Sequence, residues 1–141
     1  MGARLIQHWR LIPSCLNGLL WLALYRLGIV CLPNRYTRKF YPTYQGETLK
    51  IPLQNPTIQT TKKVINYLAK WVPWKTKCLD QALAVQQLLK QNGLASTLYL
   101  GMIKTKEEQW EAHAWVRCGT DWIIGYQPTI AYTIVGTYAT V

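Results

Sequence analysis

Two side chains in this sequence have the chemistry of a nucleophile and its base, Cys78 and His113. A thiolate attacks carbonyl carbon, and an imidazole within hydrogen-bond reach can hold that thiolate and later protonate the leaving amine. Along the chain the thiol comes first and the imidazole 35 positions later, which is an order of nucleophile and base. The alternative is that Cys78 is a small core residue and His113 a structural histidine, because their proximity depends on the fold.

Cys78 falls in the first turn of the best-marked helix of the sequence, within residues 73–93. Thr76 is the predicted N-cap, Asp80 complements the positive end of the helix dipole, and the Asn-Gly pair at 92–93 supplies a left-handed exit. The spacing therefore places the thiol at a helix N-terminus.

That position gives Cys78 a charged setting that the other cysteines lack. The partial positive charge of the helix N-terminus, reinforced by Lys75 and Lys77, favours the thiolate form. The cysteines without such neighbours are Cys15, Cys31 and Cys118. With no CxxC pair and only two histidines, the sequence has no framework for a four-ligand zinc site, and we expect neither a metal nor a cofactor.

The elements that must position these residues are helices first and strands last. Apolar residues at helical spacing follow Thr57 and stop before Pro73. Beyond Gly93 the period changes to two, and His113 lies on the second predicted strand. The predicted strands are 97–102, 112–118, 121–125 and 132–141. We therefore predict an α+β fold with an antiparallel sheet, in which residues 57–141 form the core of one compact domain.

Residues 1–56 predict an apolar N-terminal helix followed by an irregular connection rich in proline and tyrosine. The apolar run at 16–32 is shorter than the about 20 residues of a bilayer span and contains Arg26. We therefore expect a buried helix that caps the domain. The basic residues near this helix are Arg10, Arg35, Arg38 and Lys39. They could sit on anionic headgroups, so contact with a membrane surface stays the alternative.

Composition limits the class of protein more than its function. Half of the 141 residues are hydrophobic, which excludes intrinsic disorder. A chain of this length forms one domain, so a separate recognition module is expected to be another protein. The formal net charge of +10 fits acidic peptides, nucleic acid or anionic lipid without choosing among them. The wide spacing of the four cysteines favours free thiols in a reducing, cytoplasmic compartment over a disulfide scaffold.

Three short motifs carry a resemblance to a known family. They are Val-Pro-Trp-Lys-Thr-Lys-Cys-Leu-Asp-Gln-Ala-Leu-Ala at 72–84, Leu-Tyr-Leu-Gly at 98–101 and Glu-Ala-His-Ala-Trp-Val at 111–116. Together they resemble the leader peptidase of lasso-peptide biosynthesis, a transglutaminase-like family with papain-type chemistry. The resemblance covers residues 57–141, and the apolar N-terminal helix is also of the family's kind. Because two motifs recur at the family's separation, the match is more specific than either alone.

The resemblance implies a transglutaminase-like, papain-like fold and proteolysis of a ribosomally made precursor. Cys78 would attack the scissile carbonyl, His113 would serve as base, and the Cys78 backbone N–H would be an oxyanion donor. The implied partners are the leader of the precursor peptide and a lasso cyclase that uses ATP. Some members carry a fused leader-recognition domain; this sequence has none, so a separate leader-binding protein is expected. No nucleic-acid partner is expected.

The third member of the triad is where the sequence departs from the family. An aspartate often follows the histidine by about a dozen residues, where this chain has Gly125. If Gly119-Thr120 is a two-residue turn, Asp121 lies too far along the strand to orient His113. One extra residue would place Gln127 opposite the ring, and a backbone carbonyl is a further alternative. A catalytically weakened scaffold, or a transglutaminase-like acyl transferase, therefore stays open beside the peptidase.

Overall fold

The computed structural model describes residues 2–42, 44–73 and 77–140, without the side chains of 2–10, 34 and 44. Helices fill the first part of the chain and an antiparallel sheet the last. The elements, in chain order, are α1 (Gly2–Cys31), α2 (Asn34–Thr37), a 3₁₀ turn (Arg38–Phe40), β1 (Tyr44–Gln45), α3 (Pro56–Trp71), α4 (Cys78–Gln91), β2 (Ser96–Lys104), β3 (Trp110–Cys118), β4 (Asp121–Ile124) and β5 (Thr133–Thr140).

The five strands form one sheet in the order β1-β5-β2-β3-β4, with antiparallel neighbours throughout. β2 and β3 pair along their whole length, from Thr97 opposite Arg117 to Lys104 opposite Trp110. The predicted α+β class, with helices before an antiparallel sheet, is confirmed. Each end of β2, β3, β4 and β5 lies within two residues of the predicted one, and the small differences arise because alternation weakens where a strand enters a turn.

α3 and α4 cover one face of the sheet with their apolar sides. α4 connects to β2 through the tight turn at Gly93, whose φ of 69° is left-handed as predicted, so helix and strand run in opposite directions. The Gln86 amide then donates to the carbonyls of Ser96 and Tyr138, which fixes α4 on β2 and β5. The core between these layers contains Ile58, Val64, Ile65, Ala82, Leu83, Ala84, Val85, Leu88, Leu89, Leu98, Ala114, Val116 and Ile123.

α1 packs on α3 and α4 with one side only. Leu22 is fully buried in the core, whereas Leu16 and Leu27 are 62% and 61% exposed. The expectation that this helix is buried is therefore wrong for the side of α1 that faces solvent. The sequence could not show this, because apolar residues surround the whole helix and the pattern has no polar face to mark solvent.

The face of the sheet opposite the helices is closed by a buried arginine. Arg117 is 2% exposed, and its guanidinium donates to the Tyr99 hydroxyl at 3.0 Å, the Gly119 carbonyl at 2.5 Å and the Thr48 carbonyl at 2.9 Å. Glu47 completes the cluster at 3.6 Å. These bonds attach the connection before α3 to β3.

Replacing Arg117 by methionine should destabilise the fold by about 3 kcal/mol, because the Tyr99 hydroxyl and the carbonyls of Gly119 and Thr48 lose a donor in the interior of the fold. Urea unfolding followed by tryptophan fluorescence measures the loss. The matched control is Lys106→Met, at an exposed cation in the β2–β3 turn, which should change the stability little. Equal midpoints for the two variants would contradict the role of this cluster.

Candidate active site

Cys78 is the first residue of α4, as the sequence predicts for a thiol at a helix N-terminus. The N-cap is Lys77, so the prediction of Thr76 as N-cap is wrong; Thr76 itself and Lys75 lie outside the described residues. Capping comes from Asp80 instead, whose Oδ2 accepts from the Lys77 backbone N–H at 3.0 Å. A carboxylate in the first turn satisfies one free N–H and complements the dipole, which fixes where the helix starts.

Asp80 also fixes the start of α4 against α1. The carboxylate is 1% exposed, and the Arg26 guanidinium lies 3.6 Å from its Oδ2. The pairing explains an arginine inside the apolar stretch at 16–32, since it compensates a buried charge. Sequence reasoning missed this contact. The available signal was Arg26 itself, because a single cation in an apolar helix needs an acidic partner.

The Cys78 side chain is half-buried and packs against the core. Its thiol is free, and no hydrogen bond joins it to another residue in the described ranges. The sulfur therefore lies at the positive end of α4, where the described residues give it no hydrogen-bond partner.

His113 lies in β3, half-buried, with its ring held from two sides. Nε2 is 2.6 Å from the Gly125 carbonyl oxygen. The ring stacks on Tyr132 at 5.1 Å and on Trp115 at 6.1 Å between centroids. Because a carbonyl oxygen only accepts, Nε2 must carry the proton, and Nδ1 of the neutral ring keeps the lone pair that a thiol proton needs. Sequence reasoning did not identify Tyr132 as a neighbour of the ring.

The fold brings Cys78 and His113 to the same end of the sheet. α4 runs opposite to β2, and β2 runs opposite to β3, so the start of α4 and the start of β3 share that end. The ring, however, lies with Trp115 on one face of β3, while the core packs on the Ala114 face. Within the described parts of the chain no hydrogen bond joins the Cys78 thiol to the imidazole, so their pairing stays a prediction.

The β3–β4 hairpin decides which group meets the imidazole. Gly119-Thr120 is the two-residue turn, and Asp121 pairs with Cys118, at the far end of β4 from His113. An extra residue in β4 shifts the register between Val116 and Arg117, which would bring Gln127 opposite His113 if pairing continued. β4 ends at Ile124, and the Gly125 carbonyl meets the ring instead. Of the three predicted alternatives, the backbone carbonyl is the one in contact.

Gly125 has a φ of 79°, and a Cβ built on it would overlap the carbonyl oxygen of Ala114. The backbone that aims its carbonyl at His113 therefore admits no side chain, including the aspartate that the family often has there. An aspartate at this position would need a different path of the chain.

We expect Gly125→Asp to destabilise the fold by roughly 2–4 kcal/mol, as strain from the positive φ adds to the overlap with Ala114. Gly93→Asp is the matched control, because Gly93 has a φ of 69° and nothing within 4 Å of a built Cβ. That control should cost about 1 kcal/mol, from backbone strain alone. Thermal unfolding compares the two, and a Gly125 variant as stable as the control would show that the chain at 125 is not held as described.

Aromatic side chains continue from the imidazole into a cavity of about 290 Å³ on the same face of the sheet. Trp115 and Tyr132, which stack on His113, form one wall. The remaining lining includes Tyr99, Trp122, Tyr126 and Ile130. Such a cavity suits an apolar or aromatic side chain of a peptide.

The other buried thiol has a setting opposite to that of a nucleophile. Cys118 is fully buried and donates to the Ala95 carbonyl at 3.4 Å. Burial, and then the charge of Asp121, raise the pKa of the Cys118 thiol, while Arg117 opposes them. A raised pKa leaves less thiolate at any given pH below it.

In the folded protein we expect iodoacetamide to modify Cys118 at least about tenfold more slowly than the exposed Cys31, with the difference persisting to higher pH. Peptide mapping by mass spectrometry after timed alkylation measures both. Cys78, which is half-buried, should label well before Cys118. Comparable rates for Cys118 and Cys31 in folded protein would contradict the burial.

Comparison with known proteins gives one family. The sequence family model of the transglutaminase-like superfamily matches residues 24–137, which include α3, α4 and nearly all of the sheet. Neither the curated proteins nor the solved structures gave a significant match.

Proposed function

Because the chain belongs to the transglutaminase-like superfamily, we propose that it is a cysteine peptidase that removes the leader from a ribosomally made lasso-peptide precursor. The fold is one that typically supports cysteine protease or acyl-transfer chemistry. The observation that carries the proposal is the imidazole of His113, held through Nε2 by the Gly125 carbonyl so that Nδ1 keeps the lone pair that can take a thiol proton. The choice of a lasso-peptide precursor as substrate rests on the resemblance of the motifs around Cys78 and His113 to those of lasso-peptide leader peptidases.

The proposed reaction has two steps. Nδ1 of His113 takes the thiol proton, and the Cys78 sulfur attacks the carbonyl carbon of the last leader residue. The C–N bond breaks, the imidazolium returns its proton to the leaving amine of the core peptide, and a leader thioester remains on Cys78. Water, deprotonated by the imidazole, then releases the leader as a carboxylic acid and restores the thiol.

The residues around the thiol favour this attack. The backbone N–H of Cys78 opens α4, where the first N–H groups have no partner within the helix, so it can donate to the oxyanion. The Gly125 carbonyl accepts a hydrogen bond from the imidazolium, as the side-chain amide of asparagine does in papain-like enzymes. Unlike an aspartate, it brings no negative charge. The proposal requires Nδ1 and Sγ to meet around the edge of β3 in the substrate complex, because the ring lies on the face of the sheet opposite to the one that α4 covers.

The edge of β3 next to His113 offers a place for an extended peptide. β4 pairs with β3 only from Val116 to Cys118, and Gly125 lies against Ala114, so among the described residues β3 has no strand partner on this side at 110–113. A strand of the precursor can pair with such an edge. A side chain of the peptide would then fill the aromatic cavity next to Tyr132. A separate leader-binding protein would present the leader to the peptidase. The freed core peptide would then pass to a lasso cyclase. Both steps would take place in the cytoplasm.

Two observations favour a second candidate, a scaffold that keeps the fold without efficient catalysis. The described residues hold no hydrogen bond between the Cys78 thiol and the imidazole, and Gly125 stands where the family often has an acid. A third candidate, acyl transfer, shares the thioester and differs in using an amine in place of water.

The three candidates are separated by one assay. The protein, a candidate precursor and a leader-binding partner are incubated with and without a primary amine, and products are identified by mass spectrometry beside the Cys78→Ala variant. Free leader acid and free core support the peptidase. Leader joined to the amine as the main product supports acyl transfer. If the wild-type rate is no higher than that of Cys78→Ala, the scaffold is the only candidate of the three that remains.

A further inference from the structure

We propose that α1 lies flat on an anionic phospholipid surface, with its exposed apolar side in the bilayer interface and the basic segment after it on the headgroups. This docking is independent of the proposed peptidase activity. It follows from three features of the described residues: a continuous apolar stripe, the way α1 is held on the domain, and the position of the basic side chains.

The stripe runs along the solvent side of α1 at helical spacing. Its members are Ile12, Leu16, Leu20, Leu24, Leu27 and Val30, with exposed fractions from 45% to 63%. Large apolar side chains scattered singly over a surface are common, but six in one row form a continuous patch that water solvates poorly. A helix that lies in the plane of the membrane interface buries an apolar patch of this kind in the headgroup region.

The opposite side of α1 decides between lying on the membrane and crossing it. By length and composition the segment Leu11–Cys31 could cross a bilayer. Leu22, however, is fully buried in the domain core, and Arg26 pairs with the buried Asp80 of α4. Crossing would separate these contacts and leave a buried carboxylate unpaired, which is costly. α1 therefore stays on the domain and presents its stripe outward.

Basic side chains adjoin the C-terminal end of the stripe. Lys39 lines one cavity together with Leu27 and Leu32, so this residue lies beside the last turn of α1. Arg35 and Arg38 are exposed in the same short segment. Cations at the rim of an apolar patch complement anionic lipid headgroups.

The same cations argue against a second copy of this chain as the occupant. Two stripes placed face to face would bring together two molecules that each have a net charge of +10, and a parallel arrangement would also bring their Arg35, Arg38 and Lys39 clusters together. Anionic lipid compensates this charge, whereas a second copy doubles it.

Vesicle flotation with the full chain tests the proposal. Vesicles of phosphatidylcholine with phosphatidylglycerol should capture the wild type, and vesicles of phosphatidylcholine alone should capture it at least about tenfold more weakly. Raising the salt concentration should weaken capture by the anionic vesicles. Cys78→Ala should bind like the wild type, so lipid binding is read independently of catalysis.

Two variants divide the surface into its parts. Leu16→Gln/Leu20→Gln/Leu27→Gln removes the stripe, and Arg35→Gln/Arg38→Gln/Lys39→Gln removes the rim; each should weaken partitioning by on the order of a hundredfold. The matched control, Lys50→Gln/Lys104→Gln/Lys106→Gln, removes the same charge from loops and strand ends of the sheet and should lose far less. Circular dichroism confirms that each variant is folded.

The proposal is overturned if the wild type does not bind anionic vesicles, or if the control loses as much as the rim variant. It is also overturned if the protein is a dimer in solution by sedimentation and the stripe variant alone is monomeric. In that case a second copy covers the stripe.

Discussion

Cys78→Ala is expected to lower the rate of leader removal by about 10⁴–10⁶-fold, because the thioester can form on no other atom of the proposed site. The rate of core-peptide release, measured by mass spectrometry with a leader-binding partner present, gives the ratio. Stability should change little, since the side chain is small, half-buried and without a hydrogen bond to another described residue.

Cys31→Ala is the matched control, because Cys31 is an exposed thiol at the end of α1 and takes no part in the proposed site. It should release the core peptide at the wild-type rate. If both variants keep that rate, any peptidase activity belongs to another protein in the assay.

His113→Gln should lower the same rate by about 10²–10⁴-fold, because an amide can replace the contact with the Gly125 carbonyl but cannot carry a proton between sulfur and the leaving amine. The measurement is the rate of core release by mass spectrometry, with unfolding of the variant checked separately.

The double variant Cys78→Ala/His113→Gln tests whether the two residues act as one unit. If they do, it should be no slower than Cys78→Ala alone, since the base has nothing to serve once the thiol is gone. Independent, multiplying losses would contradict the pairing. Tyr132→Phe, which keeps the ring stacked on His113, is the control and should retain most of the activity.

Local signals along the chain were enough for the elements that carry the site. The left-handed exit at Gly93 and the acid in the first turn mark both ends of α4, and period-two alternation marks the strand with His113. The N-cap was displaced by one residue, from Thr76 to Lys77, because the Asp80 carboxylate takes over the capping that a threonine side chain would give.

The features that the sequence could not fix are those set by distant contacts. Which side of α1 faces solvent depends on its packing against α3 and α4, and a helix that is apolar all round carries no mark of it. The partner of His113 depends on an extra residue in β4 and on the left-handed turn at Gly125, which alternation does not predict. The distance from Cys78 to the ring depends on both.

The central claim is that the Cys78 sulfur becomes acylated by the leader. Rapid acid quenching of the wild-type protein mixed with precursor and leader-binding partner, followed by intact mass spectrometry and peptide mapping, measures this directly. The account predicts a species heavier by the leader acyl group, mapped to Cys78 and absent from Cys78→Ala. Free core peptide formed at the full rate with the acyl group on another residue, or with the same yield from Cys78→Ala, would contradict it.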